Sequence, residues 1–491
     1  MKENLEGKLT EGSVAARLVA FSLPFLMANF LQTLYGMADL FIAGQFNGAD
    51  VITAVSIGSQ IMHMITVIIA GLAMGTTVLT ARAVGAGKER DACLCAGNSL
   101  LAFLIFSVFA TAILFVFCPQ IVALMHTPPE AVGETLSYLG ICFLGIPFIS
   151  LYNSVSAVFR GAGDSKRPLY FVAASCLVNI ILDVFFMGPL ALGSRGAALA
   201  TVLSQAFSAF LAAFVLFARG KRGACGGVGD ACGETYGGAD GRGGASGGSR
   251  GSSGACVRIL RGDFRMDAKV LKALLQIGLP VSAQDGFIQV SFLVITIIAN
   301  SRGLSVAAAV GIVEKIICFL FLVPSSMLSA ISALAAQNMG ASLHARARHT
   351  LYAGMAIASA FGALFALAFQ FASVPFVSLF THDAAVVQLG GQYLRSYVFD
   401  CFFAAFHFAF SGFFCAYGYS LLSFVHNTVS ILLVRIPGAY LAAKYFPGTL
   451  YPMGWAPALG SLLSSLICLG FYLLLKRNGR FGGGLERHGG K

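Results

Sequence analysis

Charge is what this chain has least of. Asp, Glu, Lys and Arg make up 11% of its 491 residues, against about 25% in a soluble globular domain. That scarcity excludes an ordinary water-soluble protein. Several chemical signatures are missing too. No Gly-x-x-x-x-Gly-Lys-[Ser/Thr] stretch occurs, so no P-loop supplies energy from ATP, and Gly85-Ala86-Gly87-Lys88 is only a short basic loop. No His-Glu-x-x-His protease motif is present. Gly-x-Ser-x-Gly matches around Ser246 and Ser249 fall in a glycine-rich stretch that produces them by composition, without the strand-to-helix turn a nucleophile elbow needs. Of twelve cysteines, nine lie in or beside apolar runs, where cysteine behaves as a small hydrophobe. Cys225, Cys232 and Cys256 lack zinc-ligand spacing. No enzyme and no resident cofactor is expected.

What is present is hydrocarbon. Hydrophobic residues make up 57% of the chain, and mean hydropathy is +0.81. The apolar runs are long enough to span a bilayer. Twelve spans are expected: 16–44, 51–80, 92–117, 132–159, 168–188, 194–218, 270–299, 305–335, 350–371, 386–414, 421–443 and 454–475. All should be α-helices, because backbone groups in lipid must find partners within their own segment. The first residues carry Lys2, Glu3, Glu6, Lys8 and Glu11, unlike a cleaved secretory signal, so the first span is expected to be retained. The net charge of +11 reflects topology rather than nucleic-acid binding. With both termini inside, the inner loops hold 24 Lys and Arg, and the outer loops hold Arg195, Arg302 and Lys444. That asymmetry puts both termini on the cytoplasmic side of the membrane.

The chain repeats itself. At an offset of 255, residues 51–61 lie over 306–316 with five identities in eleven, Gly85-Ala86 over Gly340-Ala341, and Ser156, Phe159, Gly163 and Ser165 over Ser411, Phe414, Gly418 and Ser420. Each half has an even number of spans, so both enter the membrane in the same direction. Parallel repeats of this kind mark transporters, with binding sites near the midplane. The expected organisation is an N-terminal lobe over 1–218, a linker over 219–268, a C-terminal lobe over 269–476 and a tail over 477–491. Residues 220–254 contain 15 glycines, a composition that buries too little apolar surface to order itself.

Polar residues inside the spans point to the site. Asp39 stands in an otherwise apolar stretch, where a carboxylate costs roughly 2.5–3.5 kcal/mol on insertion scales. Asn29, Gln32, Tyr35 and Asp39 are spaced three, three and four apart and so form one stripe on a helix. Ser175, Asn179 and Asp183 form a second stripe, and Thr201, Ser204, Gln205 and Ser208 a third. Three stripes can converge on one pocket. Burial and mutual repulsion both disfavour two charged acids there, so the pair either shares a proton or holds a metal cation among oxygen ligands. The serines suit helix–helix hydrogen bonding; the acids are an expensive choice for that purpose.

These motifs resemble the MATE (multidrug and toxic compound extrusion) transporters. The resemblance rests on Pro24…Gln32…Tyr35…Asp39…Gly44, on Arg160-Gly161-Ala162-Gly163-Asp164-Ser165-Lys166-Arg167-Pro168, and on Asn179-Ile180-Ile181-Leu182-Asp183. It continues in Gly196-Ala197-Ala198-Leu199-Ala200-Thr201…Gln205, Gly278-Leu279-Pro280, Gln337-Asn338-Met339-Gly340-Ala341 and Arg435-Ile436-Pro437, covering the chain except its glycine-rich loop. It implies an all-α membrane protein with two six-helix lobes around a central cavity. It also implies an antiporter that exports organic, cationic or lipophilic compounds by alternating access. The coupling ion, H+ or Na+, would bind Asp39, Asn179, Asp183 and Thr201. Tyr35 and Gln32 would line the cavity, with Asn29 and Gln205 beside them, and Pro24 would be the hinge of the first helix. In the C-terminal lobe, NorM-type relatives carry a glutamate where Ile288 stands here. Gln284 and Asp285 are more DinF-like, and Asp400 lies about a turn from the usual acid.

Weaker candidates remain. Asp285, Gln284, Asp400 and His63 are taken as cavity residues. Glu314 and Lys315 are adjacent and so do not share a face. His407 suits a helix–helix bond, and Arg435, near Pro437, suits a structural partner for helix ends. The expected partners are small-molecule substrates and the lipid bilayer, with no nucleic acid, and the carrier is expected to be a monomer. A lipid-linked precursor flippase remains an alternative, favoured by a basic cavity. A gated channel is a third reading.

Overall fold

A computed structural model describes residues 9–125, 127–222 and 263–481. Most of the glycine-rich linker and most of the C-terminal tail lie outside these residues. Among the described residues there is no β-strand, and sixteen α-helices make up the body. The N-terminal half comprises α1 (Val14–Phe46), α2 (Ala49–Gly85), α3 (Glu89–Val116), α4 (Cys118–Leu124), α5 (Val132–Leu144), α6 (Ile146–Gly161), α7 (Lys166–Met187) and α8 (Gly193–Arg222). The C-terminal half comprises α9 (Ala268–Asn300), α10 (Leu304–Gly340), α11 (His344–Val377), α12 (Ala384–Tyr397), α13 (Phe399–Ala416), α14 (Ser420–Ser430), α15 (Ile436–Tyr445) and α16 (Tyr451–Arg477). Among the described residues, eleven helical stretches are long and apolar enough to cross a membrane; α5 and α6 together form a twelfth. The expected spans therefore hold, and most helices run several residues beyond them. Arg82 and Arg160, counted as loop charges from sequence, are helical.

Three spans are broken, two of them beside a proline. The fourth bends by 44° between α5 and α6. Pro147 lacks the N–H that would bond the carbonyl of Phe143, and the Thr111 hydroxyl donates to that carbonyl instead, at 3.2 Å. The tenth breaks at Val398, between α12 and α13. The eleventh contains a π turn over Ile431–Arg435 just before Pro437, with Ile436 N–H bonded to the carbonyl of Ile431. Such bulges let a helix absorb a proline and re-aim a side chain. By contrast, α1 stays helical through Pro24.

The halves are related by the offset seen in the sequence. α2 packs on α9 and, equivalently, α10 packs on α1, while α2 and α10 meet each other at the axis. At the end bearing the 86–88 and 341–343 loops the halves are pressed together. Arg82 Nε and Nη2 donate to the carbonyl of Ala416 at 3.0 and 2.8 Å. Gln337 Nε2 donates to the carbonyl of Gly161 at 2.8 Å. Position 82 is the repeat equivalent of 337, and 161 that of 416, so the two contacts form one clasp made twice. Close approach demands glycine here: a Cβ on Gly71 would stand 2.8 Å from Ser282 Cα. One apolar cluster spans both halves at this end, with Leu18, Phe21 and Val78 from one and Ile277, Val281 and Ile331 from the other. Toward the opposite end a second cluster, from Ile295 to Ala456, draws on the C-terminal half alone. The halves are thus joined at one end and parted at the other.

Candidate functional site

Asp39 sits late on α1, facing α7 and α8, and its side chain is buried, with 2% of its surface exposed. The Thr201 hydroxyl donates to Asp39 Oδ2 at 3.3 Å and to the Ala197 carbonyl at 3.0 Å. Asp183 (0% exposed) and Asn179 (1%) approach from α7. The carboxylates of Asp39 and Asp183 lie within hydrogen-bonding reach of each other, with Asn179 beside Asp39. Asp39 Oδ1, both Asp183 oxygens and both Asn179 amide atoms close no hydrogen bond. Buried polar atoms are seldom left so. Among the described residues no three His, Cys, Asp or Glu side chains gather as a metal site.

One turn away, Gln205 Nε2 donates to the Tyr35 hydroxyl at 3.0 Å. Gln32, Tyr35, Tyr152, Ser175, Gln205 and Ser208 line a cavity of about 10 Å³, room for roughly one water. Ser175 donates to the Ser204 carbonyl at 2.9 Å, the helix-joining role expected of it. The three sequence stripes therefore do converge. Asn29 is half-buried on α1 and stands outside this cavity's lining.

The C-terminal half carries its own buried acids. Asp400 Oδ2 lies 3.8 Å from Arg435 Nη2, and that nitrogen also donates to the Tyr397 hydroxyl at 3.0 Å. The Arg435 guanidinium sits 4.8 Å from the Phe292 ring centroid. Glu314 Oε2 accepts from Thr296 at 3.1 Å and feels the charge of Arg435. Asp400 is thus an ion-paired group inside this half, away from Asp39, and Arg435 serves it rather than a helix end. His407 packs against His426 at 5.7 Å, and His426 bonds Ser411 and Ser464. Gln284 is buried with both amide atoms unpartnered. Asp285 is half-buried, its carboxylate against Gly71 of α2 where the halves begin to touch.

His63 is exposed on α2, within electrostatic reach of Lys315 on α10. The sequence argument that Glu314 and Lys315 point apart holds: one turns inward to Thr296, the other is exposed. Sequence reasoning missed the clasp of Arg82 and Gln337. Its signal was available, since one offset aligns both donors and both acceptors.

This arrangement defines a two-lobed membrane protein with an acid pair buried in one lobe. The MatE family model matches it twice, over residues 24–185 and 280–441, and the chain belongs to this family of transporters. It is 25% identical over 391 residues to the probable multidrug resistance protein YoeA of Bacillus subtilis, covering 79% of this chain and 78% of that one. It is 22% identical over 444 residues to an FAD transporter of Shewanella oneidensis, covering 89% of each. It shares the fold of a multidrug resistance MATE family transporter solved in an outward-facing conformation, at a TM-score of 0.82 and 23% identity over 98% of this chain and 100% of that one. The chain is a multi-pass membrane transporter rather than an enzyme.

Proposed function

We propose that this transporter is an antiporter that exports lipophilic organic compounds, cations among them, in exchange for protons. The observation that carries this reading is the contact between Asp39 and Asp183 without any basic side chain beside them. One shared proton turns one carboxyl into the missing donor and removes the repulsion between the acids. A sodium ion is the second candidate, because Asp39, Asp183, Asn179 and Thr201 all offer oxygen, the donor that hard cations select. In this reading the carrier works as a monomer in the plasma membrane, with two lobes at 1–218 and 269–476, a linker at 219–268 and a tail at 477–491. The joined end is cytoplasmic and the parted end faces outward. Proton uptake at Asp39 repacks α1 about Pro24, and Asp285 at the floor of the crevice meets the cationic end of a substrate. Ion and substrate must prefer different states for exchange to occur.

A lipid-linked precursor flippase is the weaker reading. On the parted stretches of α2 and α10, among the described residues, Lys315 is the one lysine or arginine, short of the several basic groups such a headgroup requires.

The test is uptake of a fluorescent organic cation into proteoliposomes under an imposed proton or sodium gradient. Wild type should respond to the proton gradient, and Asp39→Asn should not. An Asp39→Asn protein that inserts normally and exports at full rate would overturn the assignment. A response to sodium alone would replace the proton.

A further inference from the structure

The faces of α2 and α10 that clasp at one end continue, unclasped, toward the other. Gln60 lies 25 residues before Gly85, and Lys315 lies 25 before Gly340. At 3.6 residues per turn this is about seven turns, so each side chain projects from the same face as its glycine. That face looks at the opposite lobe. Gln60, His63 and Met64 of α2 and Lys315 of α10 are all exposed. They therefore border the gap between the lobes rather than the lipid. Gln60 and Lys315 are repeat equivalents, so they flank the pseudo-two-fold axis. His63 is one turn from Gln60 and senses the charge of Lys315 across the gap.

Neither Lys315 nor His63 is occupied structurally. The acid adjacent to Lys315, Glu314, bonds Thr296 and feels the charges of Arg435 and, without forming an ion pair, of Lys315. Among the described residues, no carboxylate forms an ion pair with Lys315 and no side chain bonds His63. Meanwhile the acids of the N-terminal lobe are buried away from the gap. The gap thus carries one fixed positive charge, an imidazole and the amide of Gln60, beside apolar walls that include Phe30 and Phe319, whose rings meet between α1 and α10 at 6.0 Å.

We propose that Lys315, with His63 and Gln60, is a subsite for a carboxylate carried by the transported compound. One lysine neutralises a monoanion; a phosphate dianion would call for more. The imidazole and the amide supply neutral donors to the second oxygen. The substrates admitted therefore extend beyond simple cations to lipophilic carboxylates and to amphoteric compounds, whose cationic end reaches toward Asp285. This rests on the chain being an alternating-access carrier, and it is tested without any ion gradient.

The experiment is equilibrium binding to the full-length protein in detergent, with one lipophilic fluorophore as its free carboxylate and as its methyl ester. The preference for carboxylate over ester should fall about tenfold in Lys315→Gln, the size expected on losing a hydrogen bond to a charged group. It should survive in Lys315→Arg and fall by less in His63→Gln. A control, Lys444→Gln at the far end of α15, should leave the ratio alone. An unchanged ratio in Lys315→Gln, or equal loss of both forms, overturns the subsite. Loss of gradient-driven flux with the ratio intact would instead bear on the antiport reading.

Discussion

Ser59 and Tyr138 in the N-terminal lobe are the repeat equivalents of Glu314 and Tyr393 in the C-terminal lobe. In the first lobe the serine and tyrosine hydroxyls bond each other at 3.1 Å. In the second an acid stands where the serine was. The lobes then balance their charges differently. Asp400 and Glu314 share the influence of Arg435, re-aimed by its π turn. Asp39 and Asp183 have each other, a threonine and an amide, and no base. A buried acid with its own arginine is a fixture of the fold. A buried pair without one stays open to a visiting cation. The same scaffold thus gives the acids of one lobe a shared arginine and leaves the pair in the other without a base.

Four measurements would break or sharpen that contrast. The largest effect is expected on coupling: Asp183→Asn should cut gradient-driven flux roughly 5- to 150-fold, the range of typical coupling free energies, while the melting temperature in detergent holds or rises. Asp400→Asn should do the reverse, lowering the melting temperature and sparing coupling. If both substitutions abolish coupling equally, the lobes are not divided in this way. Next in size, Arg435→Met should destabilise the protein by about 3–5 kcal/mol, because it strands a buried acid. Adding Asp400→Asn should recover part of that loss, and thermal unfolding of the single and double variants checks it. Third, Arg82→Ala should weaken the joined end by about 1.5–3 kcal/mol, against about 1 kcal/mol for Gln337→Ala, since only the arginine brings a charge. Spin-label distances across the 86–88 and 417–419 loops would show the shift toward opening. The smallest effect is expected from Tyr35→Phe, which frees Gln205 at a cost of about 1 kcal/mol; stability should fall slightly and coupling should persist.

Much of this was legible in the chain. Each of the twelve apolar runs became a helix or a broken pair, because hydropathy and backbone satisfaction leave a bilayer-spanning segment little choice. The stripes on α1, α7 and α8 converged because three- and four-residue spacing fixes a helix face. What could not be read was which face meets which neighbour. Asp400 was taken for a cavity acid, yet its partner Arg435 stands 35 residues away on a π turn; Pro437 announces a disturbed helix there but not which way the arginine will face. Asn29 shares the stripe of Asp39 but lies outside the small cavity, since one turn along a helix is enough to leave a pocket. His63 was taken for a cavity residue without a named neighbour, because that neighbour, Lys315, belongs to the other lobe.

The clasp carries a consequence for ancestry. A donor on one half that reaches a main-chain carbonyl on the other, answered by its counterpart, is the contact pattern of two identical subunits about a dyad. A single six-helix unit meeting a second copy of itself would close through two identical bonds, and neither would depend on the side chain at the receiving position. Fusion of the copies frees each half to drift, which is how an arginine and a glutamine come to hold the same post.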